Sequence, residues 1–327
     1  MLRSSIAFIV AHVALSCFAA SSWAQSAGDY PNKPIRFIIP QSPGSASDVL
    51  ARIIAPRLGD VLGQPVVIDN RAGAGGILGA EAGAKATPDG YVVTLGASAW
   101  ITIAPHTYKK LPYDPLTDLV PVSLFALSQN MLAVHPSLPV NSVKELLELM
   151  KAKPDVLNMA SAGVGSSSHL AGLLFTSLGG VSAVHVPYKG AGQSVVAVIA
   201  GEAQWTFTPM QGPLPHVRAG KLRALAVGGS ARSPILPDVP TAAEAGLPDY
   251  YAASWYGVML PKGTPAPIIE KLNAATQTAL RAQELRDQIV FQGAEPKAST
   301  TAEFARLVQD EFVRAAKVVR LAGVKVE

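Results

Sequence analysis

The chain of 327 residues holds one cysteine, Cys17, and it lies inside an N-terminal apolar run. Beyond that run there is no thiol nucleophile, no disulfide and no cysteine to ligate a metal. The histidines His106, His135, His169, His185 and His216 stand singly, so a zinc site built on paired spacing is excluded as well. No later apolar run is long enough to cross a bilayer. Lys and Arg are scattered and form no basic stripe, which excludes a nucleic-acid partner. Aromatic residues make up only 6%, and small residues dominate instead.

What is present begins with an export signal. Arg3, an apolar run over 6–20 and the small residues at Ser22-Trp23-Ala24 read as a secretory signal peptide over 1–24, cleaved after Ala24. The alternative, lipidation at Cys17, needs a lipobox that Ala14-Leu15-Ser16 fits poorly. A periplasmic, soluble product is expected. The formal charge of +4 falls to +3 once Arg3 leaves; that mild excess either attracts a small anion or serves solubility.

The remaining chain, roughly 300 residues, is long enough for two domains. Apolar runs alternate with helical patterns, and Gly, Pro and Ser mark the joints, which predicts an α/β protein. Strands are expected at 35–40, 65–69, 91–95, 120–127, 131–135, 157–160, 183–187, 205–208, 222–227 and 257–260. Helices are expected at 48–62, 76–84, 143–151, 169–178, 193–200, 265–282 and 302–321. Capping boxes are read at Ser142 with Glu145, Thr241 with Glu244, and Thr300 with Glu303. Pro265 suits a first helical turn, and Pro56 should kink or shorten the helix that contains it. The two strand-like runs at 120–127 and 131–135, and a second passage near 250–255, suggest two crossings between lobes. The expected division is 28–127 plus 252–327 for the first lobe and 128–251 for the second, with a hinge that closes over a ligand.

The segment 33–52, KPIRFIIPQSPGSASDVLAR, carries the sharpest chemical signal. An apolar strand runs into a Pro, Gly and Ser loop and then a helix start. Helix starts carry unpaired N–H groups and a partial positive charge, so the turn is an anion site in waiting. The plain alternative is an ordinary strand-to-helix turn with Asp48 as its cap. Catalytic motifs fare worse. The serines before His169 lack the G-x-S-x-G elbow of hydrolases. Gly73, Gly75, Gly76 and Gly79 miss the dinucleotide fingerprint, since Leu78 fills the third glycine's place. The Lys221-Leu222 pair spoils a P-loop. No cofactor and no enzyme activity are expected.

Several stretches resemble one family in ordered succession. YPNKPIRFIIPQSPGSASDVLAR is similar to Y-P-x-K-P-I-R…P-x-x-P-G-G-x-x-D…A-R, and GQPVVIDNRAGAGGILGAEAGAKATPDGY to G-Q-P-V-V-V-E-N-R-x-G-A-G-G…A-x-P-D-G-Y. LPYDPLTDLVPV, GVGSSSHLAG, HVPYKG, GKLRALAV, LPDVPTAAEAG and PKGTP follow in the family's order. The family is the periplasmic solute-binding receptors of tripartite tricarboxylate transporters, the Bug-type (Bordetella uptake) proteins. The resemblance implies a two-lobed periplasmic-binding-protein (Venus flytrap) fold with a sheet in each lobe. It also implies a small organic carboxylate held in the cleft by amides, hydroxyls and waters, and a permease as partner. A monomer is expected. The same fold serving a signalling protein, or a periplasmic enzyme, are the competing readings.

The resemblance also nominates residues. The first loop offers Ser42, Pro43, Gly44, Ser45, Ala46 and Ser47, with Asp48 as structural cap. The next turn offers Ser98, as ligand donor or as helix cap. The second lobe offers Gly163, Gly165, Ser166, Ser167, Tyr188, Lys189 and the N–H groups after Gly190; His169 is read as structural. Ser45 replaces a family glycine, where a positive φ would strain it. Thr208 stands where many members carry an acid, which favours an anion without an amino group, an aromatic acid among the candidates.

Overall fold

The computed structural model describes residues 30–323; the expected signal peptide, with Cys17 and the cleavage site, lies outside the described residues. The first strand, β1 (Ile35–Ile39), is buried at four of its five positions and runs parallel to β2 (Val66–Asn70) and β3 (Val92–Ala97) on either side. Burial on both faces explains why its sequence is continuously apolar. Crossover helices α1 (Ala46–Leu62) and α2 (Ile77–Ala84) link these strands. Helix α1 buries Leu50, Ile54, Leu58 and Leu62, which share one face at helical spacing.

After β3 come a π-helical turn (Ala99–Ile103) and the short α3 (Ala104–Thr107), then β4 (Leu119–Val134). The middle of the chain runs α4 (Val143–Ala152), β5 (Asn158–Ser161), α5 (Ser167–Gly179), β6 (Val184–Pro187), α6 (Ala191–Ile199), β7 (Trp205–Pro209), α7 (Leu214–Arg218) and β8 (Arg223–Val227). The chain closes with β9 (Ala253–Pro261), α8 (Ala266–Ala279), α9 (Gln283–Phe291), β10 (Ala294–Pro296) and α10 (Thr301–Leu321). The strand order is β2-β1-β3-β9-β4-β7-β5-β6, with β8 and β10 also pairing β4.

Strand β4 organises the molecule. Its first part pairs antiparallel with β9 as far as Gln129↔Ala253, and its last part pairs with β7 and β8 from Asn130 onward. The cores divide at the same place. One cluster joins Phe37, Leu50, Leu95, Trp100, Phe125, Val258 and Phe304. Beyond Asn130 the side chains of β4 alternate between two further clusters: Leu132 and Val134 pack with Phe175, Trp205 and Phe207, while Met131 and Ala133 pack with Val195, Met210 and Leu214. Helix α10 spans both regions. Phe304 packs edge-on against Trp255 at 5.3 Å, whereas Ala315 and Val319 pack with Ile103 and Leu170.

Several sequence expectations need correction. The runs at 120–127 and 131–135 are one strand, not two. The polar segment Ser128-Gln129-Asn130 reads as a turn, but it stays extended because its side chains are engaged: Ser128 Oγ donates to Gln211 Oε1 at 2.8 Å and Gln129 Nε2 to Ala231 O at 3.0 Å. Pro56 does not shorten α1, which continues to Leu62. Pro56 is exposed, so the Arg52 carbonyl that loses its N–H partner can turn to water while the opposite face stays buried. The helix expected at 265–282 ends at Ala279, with Pro265 at its N-cap, and α9 follows as a separate helix. The Ser142 box is offset by one residue: Glu145 takes the N–H of Asn141 rather than of Ser142. The boxes at Thr241 with Glu244 and at Thr300 with Glu303 are reciprocal.

Candidate functional site

The N-terminal loop of α1 forms one wall. Gly44 takes the left-handed conformation (φ +77°), which leaves Ser45 extended (φ −70°) and free of the strain expected there. Ser45, not Asp48, is the N-cap: its Oγ accepts the Asp48 N–H at 3.2 Å. Asp48 sits three residues into the loop-to-helix turn and ties it together. Its Oδ2 accepts the Gly44 N–H at 3.0 Å, and its Oδ1 accepts Arg52 Nε at 2.9 Å and Asn70 Nδ2 at 3.0 Å. The correction has a simple cause: serine reaches back to the third N–H from one position, and the longer-range partners hold the acid. Burial alone would raise the Asp48 carboxyl, but hydrogen bonds from Arg52, Gly44 and Asn70 and the Arg52 charge together hold it below its ordinary 3.8.

A group whose pKa is lower when folded stabilises the fold above its unfolded pKa and loses that contribution as pH falls through the folded value. Wild-type protein should therefore be more stable than Asp48→Asn at pH 7. The gap should shrink as pH drops below 3.8. Urea midpoints at pH 7 and pH 3 measure it, and an equal gap at both pH values would rule out the ionised carboxylate as the tie.

The opposite wall comes from the starts of α5 and α6. Ser166 caps α5 by accepting the His169 N–H at 3.2 Å and donates to Gly163 O at 2.6 Å. His169 Nδ1 accepts the Gly165 N–H at 3.2 Å, which puts its proton on Nε2. Its ring stacks on His185 at 4.0 Å. Burial, and then the neighbouring His185, push His169 down to about 3, so it stays neutral and pins the 163–166 turn. Gly165 (φ +72°) lies where an added Cβ would sit 2.8 Å from Thr107 Oγ1 and 2.7 Å from Tyr108 Cε2. The N-cap of α6 is Gly190, which offers no capping side chain.

These pieces meet in a narrow crevice. Ser45, Ala46 and Ser47 reach it from the start of α1, Ser166 and Ser167 from α5, and Ala191 from α6. Three helix N-termini thus converge, each with first-turn N–H groups that have no partner within the helix. Ser98 and Thr208 complete the polar lining, and no lining residue is charged. Ser98 caps nothing (φ −52°, ψ −35°, no side-chain bond to the following turn). Ser98 Oγ, Thr208 Oγ1 and Gln41 Oε1 are buried without a hydrogen-bond partner. Buried polar atoms are usually paired, so these three are open to a further partner.

Not every nominated residue joins them. Gly44 is exposed at the loop tip, and Ser42 Oγ is turned toward Gly190. Tyr188 and Lys189 line a separate, open crevice with Gly75, Val164 and Gln193. Tyr188 Oη donates to Glu202 at 3.5 Å, and Lys189 is exposed. Sequence reasoning missed Gln41, Trp100, Ser254 and Tyr256, all in the polar crevice. Ser254 and Tyr256 stand two apart on β9 and so share a face. That alternation was readable, but the strand was expected to begin only at Gly257. Among the described residues no cluster of three His, Cys, Asp or Glu residues is placed to hold a metal, and no helix is long and apolar enough to cross a membrane.

The two-part mixed sheet with a polar crevice at the junction defines a two-lobed periplasmic-binding-protein fold. Sequence comparison narrows the class. The model of the tripartite tricarboxylate transporter family receptor matches residues 50–324, and the chain belongs to that family. It is 40% identical over 303 residues to protein BugT of Bordetella pertussis, covering 92% of this chain and 93% of BugT. Among solved structures it resembles Rpa4515 of R. palustris with adipate (TM-score 0.89, 35% identity, 91% of this chain and 100% of the other). It also resembles MatC of Rhodopseudomonas palustris with bound malate (TM-score 0.85, 34% identity, 89% and 100%).

Proposed function

We propose that this protein is a periplasmic receptor that captures a small organic carboxylate between two lobes and hands it, chemically unchanged, to membrane subunits of a tripartite tricarboxylate transporter. The observation that carries this reading is the uncharged crevice where three helix N-termini meet the unpartnered Ser98, Thr208 and Gln41. Converging N–H dipoles and hydroxyls hold an anion without a basic side chain, because hydrogen bonds to a charged acceptor are stronger than neutral ones. Relatives with adipate and with malate support the ligand class.

The lobes in this reading are 28–127 plus 252–327, and 128–251, joined where β4 and β9 pass between cores. The first lobe brings Ser45, Ala46, Ser47 and Ser98 to the ligand; the second brings Ser166, Ser167, Thr208 and the N–H groups after Gly190. In this reading the two lobes meet in the geometry described. Tyr108 Oη of the first lobe donates to Val164 O of the second at 3.0 Å, and the loop at Pro43 lies against Gly192. Ligand contacts available only when shut would drive that closure. The receptor acts as a monomer.

A thermal-shift screen against organic acids tests the reading. A ligand present at a hundred times its Kd should stabilise the fold by about 2.7 kcal/mol. Dicarboxylates or aromatic acids are expected to respond, and mass spectrometry should recover them intact. Tight binding confined to aspartate or glutamate would defeat the expectation of a ligand without an amino group. No response from any acid, or a converted product, would defeat the receptor reading.

A further inference from the structure

The turn 162–167 has two sides. Ala162, Ser166 and Ser167 line the polar crevice, while Gly163 and Val164 line the open outer one. Two pieces of the first lobe meet the turn at Val164 O. One is Tyr108, the residue that ends α3; its Oη donates to that oxygen at 3.0 Å. The other is the loop 73–76, where a Cβ added at Gly75 would stand 3.1 Å from the same oxygen and 3.9 Å from Tyr108 Oη. Gly75 O in turn accepts Gln41 Nε2 at 3.4 Å, and Gln41 lines the polar crevice. The ring of Tyr108 also packs on the turn: a Cβ at Gly165 would stand 2.7 Å from its Cε2. One carbonyl of the second lobe is thus enclosed by the first, and it belongs to the turn that presents the start of α5.

Building on the two-lobed receptor reading, we propose that Tyr108 is a positioning residue for capture: its hydroxyl bolts the 163–165 turn onto the first lobe once the lobes are shut, and so sets how slowly a bound acid leaves. Tyr108 lines the outer crevice and not the polar one, so it acts through the turn rather than on the acid. Ser166 and Ser167 stay against the acid for as long as the bond to Val164 O lasts. Because that bond spans the lobes, it has no counterpart while they stand apart. An entering acid meets the open form, before the bolt exists. Removing the hydroxyl therefore speeds release and leaves entry alone.

Stopped-flow binding of adipate, malate and benzoate to the full mature protein tests this. Tyr108→Phe keeps the ring that packs on Gly165 and loses only the hydroxyl. For each acid that wild-type protein binds, the variant should release it about fivefold faster and take it up within about twofold of the wild-type rate. Without acid it should melt at the wild-type temperature. Tyr250→Phe is the control. Tyr250 Oη also donates to a backbone oxygen, Ala171 O at 3.0 Å, but both residues lie in the second lobe. That variant should lower the melting temperature of the free protein and leave release unchanged. Release at the wild-type rate from Tyr108→Phe, or faster release matched by Tyr250→Phe, would overturn the bolt while leaving the receptor reading standing. So would a Tyr108→Phe protein that fails to fold, since the bond would then serve the fold itself. No binding of any of the three acids to wild-type protein would overturn both.

Discussion

Thr208→Asp is expected to reduce affinity for the carboxylate by two to three orders of magnitude at pH 8. Thr208 is fully buried, its hydroxyl is unpartnered, and no cation lines the crevice to neutralise an added acid. Two like charges about 4 Å apart repel by roughly 4 kcal/mol at an effective dielectric of 20, which is close to a thousandfold. Burial without a partner raises the pKa of the introduced acid, so it becomes neutral as pH falls. Binding should therefore recover toward pH 5, while wild-type affinity stays flat over that range. Thr208→Val separates charge from hydrogen bonding. It removes a buried hydroxyl that has no partner in the free protein, so the free protein should be no less stable and its affinity should fall about tenfold. Equal losses for Asp and Val at every pH would mean that position 208 does not face the anion.

Gly192→Ala is expected to weaken binding about ten- to a hundredfold without destabilising the free protein. Gly192 lies in the first turn of α6 at an ordinary helical φ, where alanine is the better helix former. An added Cβ would stand 2.8 Å from Pro43 O, a backbone atom of the opposite loop that cannot rotate away. Gly190 makes a similar approach, but to Ser42 Oγ, which can turn aside. The clash at 192 exists only when the loops meet, so its cost falls on closure alone. Slower or incomplete compaction on adding ligand, read by small-angle scattering, should accompany the weaker binding. Wild-type affinity in Gly192→Ala would mean that the two loops do not touch in the bound state.

Much of the architecture was legible because it is written locally. Apolar runs bounded by Pro and Gly gave β1, β2, β3, β5, β6, β7 and β8 to within a residue or two at most ends, and the amphipathic pattern gave α1, α4 and α10 similarly. The failures share a cause. Ser128-Gln129-Asn130 looks like a turn until its partners Gln211 and Ala231, 83 and 102 residues away, are in place. The end of α8 at Ala279 carries no Gly or Pro to announce it, so the expected helix ran on to 282, and α9 at Gln283–Phe291 was not expected at all. For the site, the serine-bearing turns were visible as anion-binding chemistry, and the family resemblance put them in order. Which turns converge is a matter of distance, and distance is not local. Nothing in the sequence of HVPYKG says that Tyr188 and Lys189 open onto a different crevice from Thr208, only 20 residues on.

The sixteen-residue β4 belongs to both cores at once. A break anywhere in 119–134 would leave each side with an unpaired edge and a core missing one wall. Modular exchange, in which one half is traded for that of a cousin, is closed to such a molecule. Diversification has to proceed instead by rewriting the short turns that β4 holds in register, at 40–47, 162–167 and 190–192, with the ribbon beneath them left alone.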